Sequence, residues 1–510
     1  WSFFMSSARR QFLKTTAATG LAISGSTLGF RLPLPEVCAA ETVGAGSLVQ
    51  FPDPIEPLVQ LIEKTPRGEL IEKVARRVQN GTSYQELLAA LLLAGIRNVQ
   101  PYPSVGFKFH CVLVVNSCHL ASLAGPDEDR WLPIFWAIDH FKSSQADEQR
   151  RSGWRMAAVD ESKIPDATAA KKEFIAAMDT WDLDRADRAT AVLVRNTGAT
   201  DVFNLFAQYA ARDFRSIGHK AIYLANSWRT LQVIGWQYAE PVLRSLTAAL
   251  LNHSGEPNPA ESSLGADESW RSIDQVLSQL PANWTAGLSD VGAVTTLHEA
   301  FRSATPVECV NSGAEALAGG AGVQSIWDAV FTGAGELLMR QPGIIGLHGL
   351  TTANAVHYLF ENAADPRLRQ KLALQACGFN AYFREAAKGR GNVADTLLDS
   401  LAESAQDTAN SSVEEILHDI SGNRQNAAHK LLAHLEAGGD PHAFIDAARR
   451  MVFLKGNDAH DYKFNSAVLE DFAHVSPHWR NRFLATSVFN LNGAGEPDNQ
   501  LVQRIENALS

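Results

Sequence analysis

The sequence predicts an all-α protein, and three observations carry that prediction. Apolar residues recur at three- and four-residue steps in one segment after another. Polar N-cap residues with an acid three positions later stand ahead of apolar runs. Sustained period-two alternation is missing, and the lone Asn80-Gly81 pair lies between helical runs, where no hairpin is expected. The expected body is multi-helical, with two lobes around an internal polar pocket.

In chain order, the first element is a leader. Met5 to Phe30 carries Arg9 and Arg10, then Phe12, Leu13 and Lys14, then a weakly apolar run of Ala, Thr, Gly and Leu. This pattern resembles a bacterial twin-arginine signal peptide. Residues 1–4 read as upstream translated sequence, and Ala39-Ala40 offers a cleavage point, so residues 1–40 are expected to leave. The consequence is a periplasmic or extracellular protein that meets the twin-arginine translocase during export. Residues 41–69 follow as a Gly/Pro-rich linker and a first helix.

Residues 70–490 form the expected helical domain. "TSYQELLAALLLAG" opens on Ser83 and Glu86 at capping-box spacing and ends at Gly95. "SIWDAVFTGAGELLM" repeats the device with Ser325 and Asp328, and places Trp327, Val330, Phe331, Ala334 and Leu338 on one face. The polar stretch 253–266, with two prolines, is expected to divide the lobes. "SVEEILHDI" and the long run from Asn426 to Leu454 are amphipathic helices, and residues 491–510 hold a C-terminal helix.

Composition narrows the function classes. The 510 residues are 45% hydrophobic and 20% charged, enough for more than one core. The net charge of -11 repels phosphate backbones, which argues against a nucleic-acid partner. Past the leader no apolar stretch is long enough to cross a bilayer, so the mature chain is not expected to be an integral membrane protein. Of five cysteines, Cys38 leaves with the leader. Cys111 and Cys118 are two helical turns apart, about 10 Å, too far for a disulfide. Buried thiols are the expectation for them.

Four helical segments carry polar residues where core is expected. "VGFKFHCVLVVNSCHLASLAG" holds His110, Asn116, Ser117 and His119. "GHKAIYLANSWRTLQVIGW" sets His219, Ile222, Tyr223, Asn226 and Thr230 near one face. "GIIGLHGLTTANAVHYLF" aligns His348 with Thr351 or Thr352, and Asn354 with His357. "NDAHDYKF" puts His460 and Lys463 three apart, facing one way, with Asp458 and Asp461 capping or facing water. A lone histidine in an apolar helix is an ordinary core residue. Four helices with inward polar groups satisfy one another most cheaply in one shared pocket.

Metal motifs are missing: there is no HExxH, Glu-x-x-His or CxxC. If a metal or haem is held, the candidates are His110, His219, His348 and His460. "GGAGVQS" lacks the preceding strand of a dinucleotide fingerprint, and neither a Walker motif nor a GxSxG elbow occurs.

The four segments, in this order, resemble the questin oxidase-like family. The match runs through His110 with the following "RWLPIFWAIDHFK", through His219, Ile222 and Arg229 of "HKAIYLANSWRTL", through His348 and Thr351 of "HGLTTANAVHYL", and through Asp458, His460, Lys463 and Phe464 of "DAHDYKF". It covers roughly residues 70–485. Asn226, Asn354 and His357 depart from the family's pattern. The resemblance implies an all-helical oxidoreductase that inserts oxygen, Baeyer–Villiger fashion, into an aromatic or polyketide-like small molecule, with NADPH as reductant. Free nicotinamide cofactor is scarce in the periplasm, which leaves the electron donor open. His110, His219, His348, His460 and Lys463 are then the catalytic candidates. Tyr223, Asn226, Arg229, Thr351, Asn354 and Trp136 are the substrate-binding candidates, and Trp228 would add to an aromatic wall. The alternatives are a periplasmic metal- or haem-binding helical protein and a non-catalytic helical partner-binding module.

Overall fold

Helix is the regular element throughout the described part of the computed structural model, which covers residues 48–101, 109–251, 253–403 and 411–510. Among these residues there are 23 α-helices and no strand, apart from one isolated antiparallel bridge between Leu48 and Ala157. The twin-arginine leader lies outside the described residues. Eight helices position the site and are labelled in chain order. They are α1 Tyr84–Asn98, α2 His110–Ala124, α3 Leu132–Arg151, α4 His219–Ile234, α5 Val323–Arg340, α6 Ile344–Asn362, α7 Pro366–Lys388 and α8 Ala459–Asp471.

Local chemistry accounts for several helix starts. The Ser83 hydroxyl accepts the Glu86 N–H at 3.2 Å, and the Glu86 carboxylate accepts the Ser83 N–H at 2.8 Å, the expected capping box of α1. The same device was expected at Ser325 and Asp328, and the structure differs. α5 begins at Val323, and both residues are fully buried. Ser325 accepts the Asp290 N–H at 2.9 Å, and Asp328 accepts the Ser476 N–H at 2.8 Å. Tertiary demand for buried acceptors claimed two residues whose spacing reads locally as a cap.

α6 is the axis of the molecule. All its residues from Ile345 to Phe360 are buried. A helix buried on every side belongs inside a larger body. Four helices close into a ring, α2 against α4, α4 against α6, α6 against α8 and α8 against α2. α3 and α1 back the ring on the α2 side, and α5 and α7 on the α6 side. The polar stretch after helix Ala239–Leu250 leads to helix Gly265–Val276. Buried apolar side chains from Val49 to Ile505, on both sides of that stretch, belong to one contiguous core. Cys111, Cys118, Cys309 and Cys377 are free, buried thiols. No described helix is long and apolar enough to cross a membrane.

Candidate functional site

The four ring helices each deliver one histidine to the same point. His110 opens α2, His219 opens α4, His348 lies one turn into α6, and His460 lies in the first turn of α8. A close approach sets the α4–α6 distance. Gly218, just before α4, has φ +79°, and a Cβ there would collide with the Thr352 hydroxyl on α6. His219 Nε2 therefore comes to 3.0 Å from His110 Nε2 and 3.1 Å from His348 Nε2. The His460 ring stands edge-on to those of His110 and His348, with centroids 4.5 and 5.2 Å away. Ring nitrogens of His110, His348 and His460 all lie within 4.8 Å of one another.

The hydrogen bonds on the far side of these rings fix their tautomers. His219 Nδ1 is 2.8 Å from the Ser216 carbonyl oxygen, and His348 Nδ1 is 2.7 Å from the Ile344 carbonyl oxygen. A carbonyl can only accept, so each Nδ1 carries the hydrogen. Burial first, then the Lys463 charge, pushes the His219 imidazole down to about 3; burial first, then His219, holds that of His348 well below its ordinary range. Both rings are therefore neutral, and each presents a bare Nε2 lone pair. The 3.0 Å contact between His110 and His219 is an ordinary N–H···N bond if His110 donates. The 3.1 Å contact between His219 and His348 has no hydrogen left to share. Two lone pairs at that distance repel unless a cation lies between them.

His460 repeats the arrangement with a carboxylate. Its Nδ1 is 2.7 Å from Asp458 Oδ1, and its Nε2 is buried without a hydrogen-bond partner among the described residues. The bond from His460 pulls the Asp458 carboxyl down to about 2. Asp458 also caps α8 through the His460 N–H, and Asp461 completes the box by accepting the Asp458 N–H at 3.1 Å. The expected cap is present. The second job of Asp458, orienting His460, was not read from the sequence, although an acid two residues before a first-turn histidine is the signal for it.

Lys463 sits one turn further along α8, 2% exposed, with no hydrogen-bond partner for Nζ among the described residues. Burial pushes its ammonium down to about 7. The amine borders a cleft lined also by Asn116 and Ser117 of α2, Ile222, Asn226 and Arg229 of α4, Thr351 and Asn354 of α6, and Ser466 of α8. Asn116 is 1% exposed, and neither its amide oxygen nor its amide nitrogen finds a partner. The sequence marked Asn116 and Ser117 as interruptions without assigning them to the site. Asn226 is committed to the Leu113 carbonyl at 2.8 Å. Arg229 is held at the rim by Glu470 at 3.0 Å and lies over the Tyr358 ring. Asn354 bonds Glu470 and Asp471 at 2.8 and 2.7 Å. Thr351 donates to the Leu347 carbonyl at 3.2 Å and keeps its lone pairs for another donor.

The structure thus brings together the five expected catalytic residues and four of the expected binding residues. The aromatic ones are corrections. Trp136 is core, stacked on His140 and packed on Tyr462. Tyr223 packs edge-on against Phe109, and Trp228 against Phe203 and Trp236. The stripe of α4 that lines the cleft is Ile222, Asn226 and Arg229, continuing the line of His219. Tyr223, one step round the helix, falls outside it. His119, on α2 with His110, is an ordinary core histidine bonded to the Tyr84 hydroxyl at 3.1 Å.

Three imidazoles, those of His110, His348 and His460, are grouped closely enough for a divalent transition metal, and His219 touches two of them. Adjacent nitrogen ligands at about 2.1 Å from an ion lie roughly 3.0 Å apart in octahedral and 3.4 Å apart in tetrahedral geometry. The observed separations of 3.0 and 3.1 Å fall at the first of these. Anchored Nδ1–H groups on three rings are the outer support such ligands need. The cleft does not fit the nicotinamide cofactor implied by the resemblance, nor a haem. It has room for about one water, and no glycine-rich phosphate cradle lines it. Compared with known proteins, the chain matches no family model, no curated protein and no solved structure.

Proposed function

We infer that this protein is a metal-dependent oxidoreductase, with a first-row divalent ion held by His110, His219, His348 and His460 and a small-molecule substrate in the adjoining polar cleft. The observation that carries the reading is the pair of hydrogen-free Nε2 atoms of His219 and His348, 3.1 Å apart and each fixed from behind. Such an ion would supply Lewis-acid or redox chemistry when bound. Asp458 holds the His460 ring in register. The Lys463 amine, with its pKa pushed down to about 7, is about half protonated at pH 7 and takes or gives a proton at Nζ. Asn116 offers its amide N–H to a substrate carbonyl, and Thr351 offers a lone pair to a substrate hydroxyl. For a ring as large as an aromatic quinone the cleft would have to widen. The resemblance to questin oxidase-like proteins supports oxygen insertion as the reaction class, and export by the twin-arginine route remains part of this proposal. Inserting one oxygen atom of O2 releases the other as water and takes two electrons and two protons, which a small organic reductant such as a quinol would supply in place of NADPH.

The test is elemental analysis of the full chain, purified without chelators, beside the same protein with His219→Ala. The parent is expected to hold one equivalent more of iron, copper, zinc or another first-row metal than the variant. Equal metal content in both proteins would sink the reading. Oxygen consumption with hydroxyanthraquinones as probes and a hydroquinone as electron donor then tests the reaction class. No turnover by the metal-loaded protein argues for metal binding without that chemistry.

A further inference from the structure

α6 and α8 come together at both ends. Near their N-termini, His348 and His460 belong to the cluster above. Near their C-termini a second group converges, with His357 and Glu361 one turn apart on α6 and His474 in the turn that follows α8. Nine residues separate His348 from His357, about 13 Å along the helix. The two groups are therefore separate.

The candidate ligand atoms of the second group lie within 4.8 Å of one another. His357 Nδ1 is 3.8 Å from one Glu361 oxygen, and His474 Nδ1 is 4.0 Å from the other. Both gaps exceed a hydrogen bond. Neither imidazole has a hydrogen-bond partner for its ring among the described residues. His357 is 7% exposed and packs against Trp327, Phe331 and Phe360, while its ring nitrogens keep a small opening to solvent. The ring centroids of His357 and His474 are only 4.6 Å apart, so the imidazoles converge on the carboxylate. Arg229, paired with Glu470 at 3.0 Å, and Arg369 also act on the Glu361 carboxylate, but neither bonds it.

We propose that His357, Glu361 and His474 form a second metal site, for a divalent ion that prefers imidazole, such as zinc. Two imidazoles and one carboxylate are a common donor set for these ions, with water at the remaining positions. Ligand atoms round a tetrahedral ion lie about 3.4 Å apart, so the observed gaps close by roughly half an ångström. Glu361 supplies that movement, because its side chain is 46% exposed. The bound ion ties the C-terminal end of α6 to the turn after α8, across the pair of helices whose other ends carry His348 and His460. The site does not depend on the first cluster.

The experiment is a titration of the chelator-stripped full chain with Co2+, followed by absorbance, and with Zn2+, followed by calorimetry. Parent protein is compared with His474→Ala and Glu361→Gln, both at partly exposed positions, with helicity checked by circular dichroism. The parent is expected to bind one equivalent more than either variant, with affinity at this site falling at least about tenfold. Unchanged stoichiometry and affinity in both variants would overturn the proposal. So would a parent that binds a single equivalent which His219→Ala abolishes. A single equivalent lost in His474→Ala and kept in His219→Ala would support this site and remove the first.

Discussion

The two ends of the α6–α8 pair hold histidines under opposite degrees of preparation. At the first end, His219, His348 and His460 each have Nδ1 bonded from behind, and the nitrogens facing inward are left bare. At the second end, His357 and His474 have no such support, and Glu361 is half exposed. The first arrangement is set before any ligand arrives. The second needs a side chain to move. Pre-organisation on rigid elements separates a centre suited to chemistry from one suited to a structural tie. Four outcomes would sharpen or break this contrast.

The largest effect is expected from acid. Burial holds the imidazoles of His110, His348 and His357 well below the ordinary value of about 6.5, and that of His219 at about 3. Between those values the unfolded chain binds protons that the folded chain refuses. Stability of the metal-free protein is therefore full above about pH 6.5 and falls as the pH drops toward 3. Thermal unfolding between pH 8 and pH 5 should show a steep decline in Tm below 6.5. A flat profile would mean that these rings are not held neutral.

Next comes His219→Ala. His219 touches both His110 and His348, and its loss should weaken metal binding by at least about 100-fold, read by equilibrium dialysis. Asp458→Asn is milder and more informative. Asparagine caps a helix as well as aspartate, so Tm should hold within a degree or two. The carboxylate behind His460 is lost, and metal affinity should fall about 10–100-fold. An unchanged affinity would reduce Asp458 to a cap.

The smallest effect has the opposite sign. Lys463→Met removes a buried amine without a partner and keeps most of its volume. Stability in urea should be unchanged or higher by about 1–2 kcal/mol, while turnover is lost. A large destabilisation would show that the amine has a structural partner.

Much of this was legible in the sequence. The helical class, the Ser83–Glu86 box, the free thiols and the four polar interruptions follow from local spacing. The face shared by His460 and Lys463 did as well. The aromatic wall was not legible. Trp136 and Tyr223 are apolar and at helical spacing, and nothing local distinguishes a residue that lines a cleft from one that packs behind it. Ser325 and Asp328 show the same gap, since their spacing fits a cap and their burial serves other segments.

What the sequence determined by itself is periodic and short in range. It set which residues lie on which face of which helix, because a helical repeat depends on neighbours a few positions away. Only the tertiary structure decided that four histidines as far apart in sequence as His110 and His460 gather at one point, three of them nitrogen to nitrogen. That meeting depends on how closely the ring helices approach, as where Gly218 lets α4 begin against Thr352. The tertiary structure also decided which nitrogen of each ring carries the hydrogen, because the Ser216 and Ile344 carbonyls and the Asp458 carboxylate can only accept. Residue identity supplied the imidazoles, and packing fixed where their lone pairs point.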